Sequence, residues 1–543
     1  MKQSSIKNIG LMIDCSRNSV MSVQALKQLI PVLSKAGYTT LQLYTEDTYE
    51  VNNEPYFGYL RGRYSKQELK ELDALALSYG IELIPCIQTL AHLRAIFRWP
   101  EYQKINDTAD ILLVGEERTY KLLEHIFDTL KECFSSRRVN IGMDEAHALG
   151  QGKYAQLNGQ RERSEIMAEH LRRVNEIANS RGFTCCMWSD MFFYMAFGKT
   201  NYAESEMDIP QEILEKIPDN ISLIYWDYYN TDKKIYDHNI RSHLKISNKI
   251  IYAGGAWSWV GFTPLNHYAI VANKAALRSC IDNGIQEVFI TAWGDNGGIC
   301  SPFSVLPALI QFGENAKGNF DEEKIKAKFK EIVGIDYEKF LAIDLPNYLS
   351  YRQEAKLRCN PSKYLLYNDI LVGVYDSTIE IGVGEIFKSH SEKLKLLETD
   401  TQYGFIFKVA RLLCDCLYFK ADLGKRTRNV YQNRNISELE NLIKNRYNPL
   451  IKKLEDFYQA FIIYWEKLYK PYGLEISNIR LGGLISRIKY VKTRLLSFIN
   501  GEVTVIPELE EKLLDKNGGL TAHYDTSPLL DNTWGVIVTI NLL

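Results

Sequence analysis

Eight short runs of apolar residues, rich in β-branched and aromatic side chains, punctuate the first half of the chain. Each closes on a polar or aromatic residue. They are Asn8–Asp14, Thr39–Glu46, Ile81–Gln88, Val139–Glu145, Phe183–Asp190, Ile221–Tyr228, Ile250–Trp257 and Glu287–Gly294. Their apolar character is nearly continuous instead of alternating, the pattern of a strand covered on both faces. The segments between them, such as Ser22–Lys35, Ser65–Tyr79, Glu117–Phe134 and Ser164–Ser180, carry apolar residues at helical spacing. A new run begins roughly every 40 residues, room for a strand, a helix and two loops, and eight such units close a parallel barrel. A doubly wound open sheet would also alternate, but with fewer strands and a Gly-rich phosphate turn after the first. Here Asp14-Cys15-Ser16-Arg17 follows instead. The pattern predicts an α/β fold, a (β/α)8 TIM barrel over residues 1–318.

After about Phe320 the texture changes. Asp321–Ile332, part of Glu380–Asp400, Gly404–Ala421, Ile436–Lys467 and Ser477–Phe498 read as amphipathic helices, so residues 319–543 are expected to form a mostly α-helical C-terminal domain. The last segment, Trp534–Leu543, is apolar and reads as β-like; it needs a cover, and a homodimer is one source of it.

Composition narrows the class of protein. A formal net charge of −2 speaks against nucleic acid or an anionic membrane as partner, since either calls for a basic excess. No apolar stretch reaches the roughly 18 residues of a membrane span. Met1–Lys7 carries no apolar run of the secretory kind, which sets a cytoplasmic expectation. Several of the ten cysteines, Cys86, Cys185 and Cys186 among them, sit inside strand-like runs and are expected to be buried thiols. Cys414 and Cys416 lie two apart on a helix and face different ways. No Cys/His group has zinc spacing, so neither a metal nor a cofactor is expected.

In a parallel barrel all strands open their C-terminal ends on one face, where active sites form. The residues ending the runs are Asp14 with Arg17, Glu46 with Asp47, Gln88 followed by His92, Asp144-Glu145, Trp188 with Asp190, Trp226-Asp227-Tyr228, Trp257 with Trp259, and Trp293 with Asp295. Tryptophans thus end four successive strands, five to eight. Aromatic walls with carboxylates reaching between them suit a pyranose, whose C–H faces stack on rings while charged groups fix its hydroxyls. The same tryptophans are also compatible with simply plugging the barrel mouth.

Asp144-Glu145 is the sharpest feature. Two acids at a strand end inside a barrel are costly to ionise together, so one tends to keep its proton while the other stays charged. Glycosidases that use two carboxylates place them about 5 to 9.5 Å apart across the scissile bond, which neighbouring residues do poorly. The adjacency points to the substrate-assisted exception, where the second acid acts on a 2-acetamido group. The Gly142-Met143-Asp144-Glu145 strand end resembles the signature of glycoside hydrolase family 20, the β-N-acetylhexosaminidases and related enzymes, over roughly residues 7 to 315. Gly10–Arg17 is similar to that family's first-strand motif, Trp226 and Tyr228 to its strand-six aromatics, and Trp293-Gly294-Asp295 to its strand-eight element. Of the family's Pro-Gly-His setting after strand three, Leu90-Ala91-His92 keeps only the histidine. Many members also carry an α/β domain before the barrel. This chain has instead a helical C-terminal half, as in a single-chain bacterial-type branch.

The resemblance implies exo-acting, retaining removal of terminal β-linked GlcNAc or GalNAc through an oxazolinium ion. It assigns Glu145 as general acid, Asp144 as partner of the acetamide N–H and Tyr228 as donor to the acetamide oxygen. Arg17 and Asp295 are then candidates for sugar hydroxyls, His92 for a further substrate contact, and Trp188, Trp226, Trp257 and Trp293 for the pocket walls. Alternative readings of the same residues are a structural Arg17–Asp14 ion pair, a loop-carbonyl contact for His92, and orienting roles for Asp190 and Asp227. At the level of function the alternatives are a retaining glycosidase of another barrel family with a carboxylate nucleophile, and a non-catalytic amino-sugar-binding barrel.

Overall fold

The computed structural model describes residues 4–198, 205–349, 358–398, 401–514 and 533–539. Its core is a closed barrel of eight parallel strands in chain order. They are β1 (Asn8–Asp14), β2 (Thr40–Tyr44), β3 (Glu82–Cys86), β4 (Arg138–Asn140), β5 (Thr184–Trp188), β6 (Ser222–Trp226), β7 (Ile250–Gly255) and β8 (Glu287–Ala292). Leu11 on β1 pairs with Leu41 on one side and Ile290 on the other, which closes the ring.

All eight expected strands form, but from β2 to β8 they stop short of the ends of the apolar runs. β4 stops earliest, at Asn140, although its run continues to Glu145. Gly142, Met143 and Glu145 adopt φ of 72°, 66° and 51°, and no strand can hold a positive φ. Hydrophobicity therefore extends past the ladder, into residues that turn inward over the barrel top.

The helices between strands follow their local signals. Ser22 caps Val23–Ala36 by accepting from the Ala25 N–H, and Ser65 with Glu68 forms a reciprocal capping box at Lys66–Ser78. The barrel interior is solid: Met12, Tyr44, Cys86, Cys186, Trp188, Ile224, Ile251, Ala253 and Phe289 pack together, with Trp226 and Trp293 resting on them. All ten cysteines are free thiols, and nine of them are buried.

The chain forms two compact units. One comprises residues 1–256, 269–293 and 308–334, as far as described. The other comprises 257–268, 294–307 and the described residues from 335 onward, and is dominated by the helices Gly404–Lys420, Asn448–Leu468 and Leu474–Ile499. The expected single helix Ile436–Lys467 contains a wide π-turn at Ile443–Tyr447, just ahead of Pro449, which has no N–H to return to the turn before it. Of the segment Glu380–Asp400, a helix spans Gly384–Lys395, and Thr399 and Asp400 lie outside the described residues. The β-like expectation for Trp534–Leu543 is corrected: Trp534–Val538 is a helical turn, and residues 540–543 lie outside the description. Trp534 meets Tyr367 at 6.1 Å and Arg480 at 5.3 Å, so tertiary packing overrides the local β preference. No described helix is long and apolar enough to cross a membrane.

Candidate active site at the barrel mouth

The strand ends carry unusual backbone. Besides Met143 and Glu145, the non-glycine residues Glu46, His92 and Trp257 also have positive φ. Each such residue costs on the order of 1–3 kcal/mol and persists only where its surroundings hold it. Gly142 shows what enforces the turn after β4. A Cβ there would sit 2.2 Å from Gln88 Oε1 and 2.8 Å from the Ile87 carbonyl oxygen, so only glycine lets the segment pass this close to the end of β3.

That turn delivers Asp144 into a buried pocket and leaves the Glu145 carboxyl 47% exposed. Gln88 organises the pair. Its amide donates to Asp144 Oδ1 at 2.7 Å and to the Tyr44 hydroxyl at 2.9 Å, while its oxygen accepts from the Met143 N–H at 3.1 Å. On its other oxygen, Asp144 meets His92 Nε2 at 3.2 Å, an ionic contact too poorly aligned for a full hydrogen bond. Burial alone would raise the Asp144 carboxyl, but the His92 charge and the donors around it outweigh burial and hold it below the ordinary carboxylate range. Burial likewise opposes a charge on His92, yet the Asp144 carboxylate pushes its pKa up to about 9. At neutral pH the two form an imidazolium–carboxylate pair.

Asp190 stands behind them. It accepts from the Glu145 N–H at 3.0 Å and the Trp226 indole at 3.4 Å. Burial and then the Asp144 charge push it up to about 7. Trp226 stacks on Tyr228 at 5.3 Å, and the Trp293 indole donates to the Tyr228 hydroxyl at 3.0 Å. Burial keeps that hydroxyl protonated. Trp293 packs edge-on against Tyr44 at 4.7 Å, and the Arg17 guanidinium lies 4.9 Å from both rings. Arg17 also pairs with Asp14 at 3.1 Å and approaches Glu46 at 3.5 Å, while Tyr44 donates to Glu46 at 3.1 Å.

Most of the expected site residues thus lie on one closed circuit of contacts around the mouth: Arg17, His92, Asp144, Glu145, Trp226, Tyr228 and Trp293. Trp188 is 1% exposed and lies beneath it, 6.1 Å from Trp293, as a floor and not a wall. Trp257 and Asp295 belong to the second compact unit. There Trp257 is fully buried against Tyr268 and Trp259, and Asp295 is half-buried. Sequence reasoning gave no role to Tyr44 or Gln88 and a minor one to Glu46 and Asp190. The signal was present for Glu46, Gln88 and Asp190, each of which ends a run, while Tyr44 lies two residues before such an end.

His92, Asp144 and Glu145 offer donor atoms within 4.8 Å of one another, close enough to hold a metal ion. A protonated imidazole has no lone pair to give, and Asp144 already has its countercharge, so the charge state of this set fits a proton-bearing pair better than a metal site. An acid reaching solvent, a charged acid beside it and an aromatic pocket with a fixed hydroxyl suit proton transfer to a bound glycoside.

The profile described as "Glycosyl hydrolase family 20, catalytic domain" matches residues 9–241, and that of the "Glycoside Hydrolase 20C C-terminal domain" matches residues 338–523. Hexosaminidase D of Bos taurus is 22% identical over 360 residues, 60% of this chain and 95% of that protein. Hexosaminidase D of Homo sapiens is 23% identical over 354 residues, 58% of this chain and 66% of its own length. Among solved structures, an exo-β-N-acetylglucosaminidase of family 20 from Vibrio harveyi is 14% identical with a TM-score of 0.47, covering 63% of this chain and 59% of that one. With profile matches in both the barrel and the helical half, the chain belongs to glycoside hydrolase family 20 and is a glycosidase.

Proposed function

We propose that this glycosidase is an exo-acting β-N-acetylhexosaminidase that releases terminal β-linked GlcNAc or GalNAc with retention, the substrate's own acetamide serving as nucleophile. One observation carries the reading. The second acid of the site is the chain neighbour of the first, with oxygens of the two within 4.8 Å, and it is held charged by His92 and Gln88. Carboxylates that straddle a scissile bond in retaining enzymes stand about 5–5.5 Å apart on opposite sides of the sugar. Asp190 and Asp227 are poorly placed as enzyme nucleophiles. Asp190 accepts from Glu145 and Trp226, and Asp227 accepts from the Tyr225 hydroxyl and from the Tyr229 and Asn230 amides. The hexosaminidase names of the bovine and human relatives agree with the substrate class.

In this mechanism Glu145 protonates the glycosidic oxygen as the C1–O bond breaks, and the acetamide oxygen closes on C1 to give an oxazolinium ion. Asp144, ionised, accepts from the acetamide N–H and stabilises the positive charge that develops there. Tyr228, fixed by Trp293, donates to the acetamide oxygen and aims it. Water deprotonated by Glu145 then opens the ring with net retention.

The test is hydrolysis of 4-nitrophenyl N-acetyl-β-glucosaminide and its galactosaminide counterpart. Asp144→Asn keeps the acid but loses the charge, so kcat should fall by about 100-fold or more. An unchanged kcat would refute the role of Asp144. Binding of N-acetylglucosamine without turnover of either substrate would favour a non-catalytic sugar-binding barrel.

A further inference from the structure

Beside the circuit, on the side built by the loops after β1, β2 and β3, a cleft of about 700 Å³ opens. Its lining includes Arg17, Glu46, Arg61, His92, Arg94 and Arg98. The charges are unequal: four guanidiniums and the imidazolium face one lining carboxylate, Glu46, whose own ionisation burial opposes. Three of these cations are already neutralised, Arg17 by Asp14, Arg61 by Asp47 at 2.9 Å and His92 by Asp144 at 3.2 Å. Arg94 and Arg98 are exposed and have no ion-pair or hydrogen-bond partner among the described residues. The one carboxylate among the described lining residues, Glu46, already approaches Arg17 at 3.5 Å.

The cleft is also firmly built. Trp99, next to Arg98, packs on Tyr59 at 5.3 Å and on Tyr56 at 5.5 Å, which ties the loop carrying Arg98 to the loop carrying Arg61. Arg61 donates as well to the Ser16 carbonyl at 2.7 Å, joining the loop after β1. Exposed guanidiniums lining such a cleft match the oxygens of sulfate or phosphate, which a guanidinium can bind in bidentate fashion.

We propose that this cleft is a subsite for an oxyanion ester, sulfate or phosphate, carried on a hydroxyl of the terminal N-acetylhexosamine and held by Arg94 and Arg98. The proposal rests on the hexosaminidase reading for its orientation. On that reading Arg17 meets the sugar's hydroxyls, and a substituent on them enters the cleft that Arg17 helps to line. Arg94 and Arg98 have no part in the mechanism for a neutral sugar.

The experiment compares kcat/KM on 4-nitrophenyl N-acetyl-β-glucosaminide with that on its 3-, 4- and 6-sulfates and its 6-phosphate, for the wild type and an Arg94→Ala/Arg98→Ala variant. At least one ester should be cleaved with kcat/KM equal to or above that of the neutral parent. The double substitution should lower that value at least tenfold more than it lowers the parent's. The 6-sulfate and 6-phosphate arms separate the two sources of the oxyanion. Esters that are all cleaved worse than the parent, or an equal loss on ester and parent in the variant, would overturn the subsite. If even the parent is not turned over, the hexosaminidase reading fails by itself. The cleft is then judged by calorimetry with sulfated N-acetylglucosamine: tighter binding than the neutral sugar, lost in the variant, supports it, and equal binding overturns it.

Discussion

The charge on Asp144 is set by two neighbours, His92 and Gln88, and each makes a separate prediction. The His92 pKa lies above its ordinary value, so its contribution to stability is complete below about pH 6.5 and is lost as the pH rises through about 9. Asp144 is depressed, so its share is present above about pH 4 and is lost as the pH falls further. The pair therefore stabilises the fold across the neutral range. Imidazole NMR should show His92 titrating near 9, and the stability deficit of His92→Gln should shrink above that pH. A midpoint near 6.5 would contradict the ion pair.

Gln88 touches no sugar in this mechanism but joins Tyr44, Met143 and Asp144. Gln88→Leu, similar in size, should cost about 1–3 kcal/mol in a denaturant titration by orphaning buried groups. It should also lower kcat about tenfold with little change in KM, as expected of lost transition-state stabilisation rather than lost binding. The conservative Gln88→Glu should not restore kcat, because a carboxylate facing Asp144 repels it. At this scale the acids and rings were legible in the sequence from their positions at run ends. Gln88 was visible there too, but its role was not, because its partners come from the ends of two other strands, β2 and β4, that flank it only in the folded barrel.

At the scale of elements, the end of β4 decides where the acids point. Gly142→Ala would force a Cβ against Gln88 and the Ile87 carbonyl at a φ of 72°. It should cost at least about 1–3 kcal/mol and abolish most activity, while the same change at Gly80, where no atom lies within 4 Å, should leave kcat near the wild-type value. Equal kcat in the two variants would argue against the enforced turn. The sequence marked this strand by its apolar run, yet hydrophobicity carries no record of φ, so the run overstated the strand by five residues. The Trp534 segment fails in the same manner: a short β-branched stretch becomes a helical turn once Tyr367 and Arg480 pack on its tryptophan.

At the scale of the whole molecule, eight apolar runs at regular spacing were enough to give the barrel, because a strand buried on both faces can be satisfied only inside a helix-wrapped sheet. What spacing could not convey is the closed circuit from Arg17 through Tyr44, Trp293, Tyr228, Trp226, Asp190, Glu145, His92 and Asp144 to Gln88. It draws on residues from or just after β1 to β6 and β8, and exists only when the first strand pairs with the last.

In the proposed mechanism that circuit arranges one acetamide as nucleophile, and a series of aryl glycosides bearing acetamido, mono-, di- and trifluoroacetamido groups tests this directly. Each fluorine weakens the amide oxygen without altering the leaving group. With the acetamide as nucleophile, log kcat/KM should fall steadily along the series, by on the order of 100-fold or more at its end. A flat series would mean that a carboxylate of the enzyme attacks the sugar, and that Asp144 has some other task.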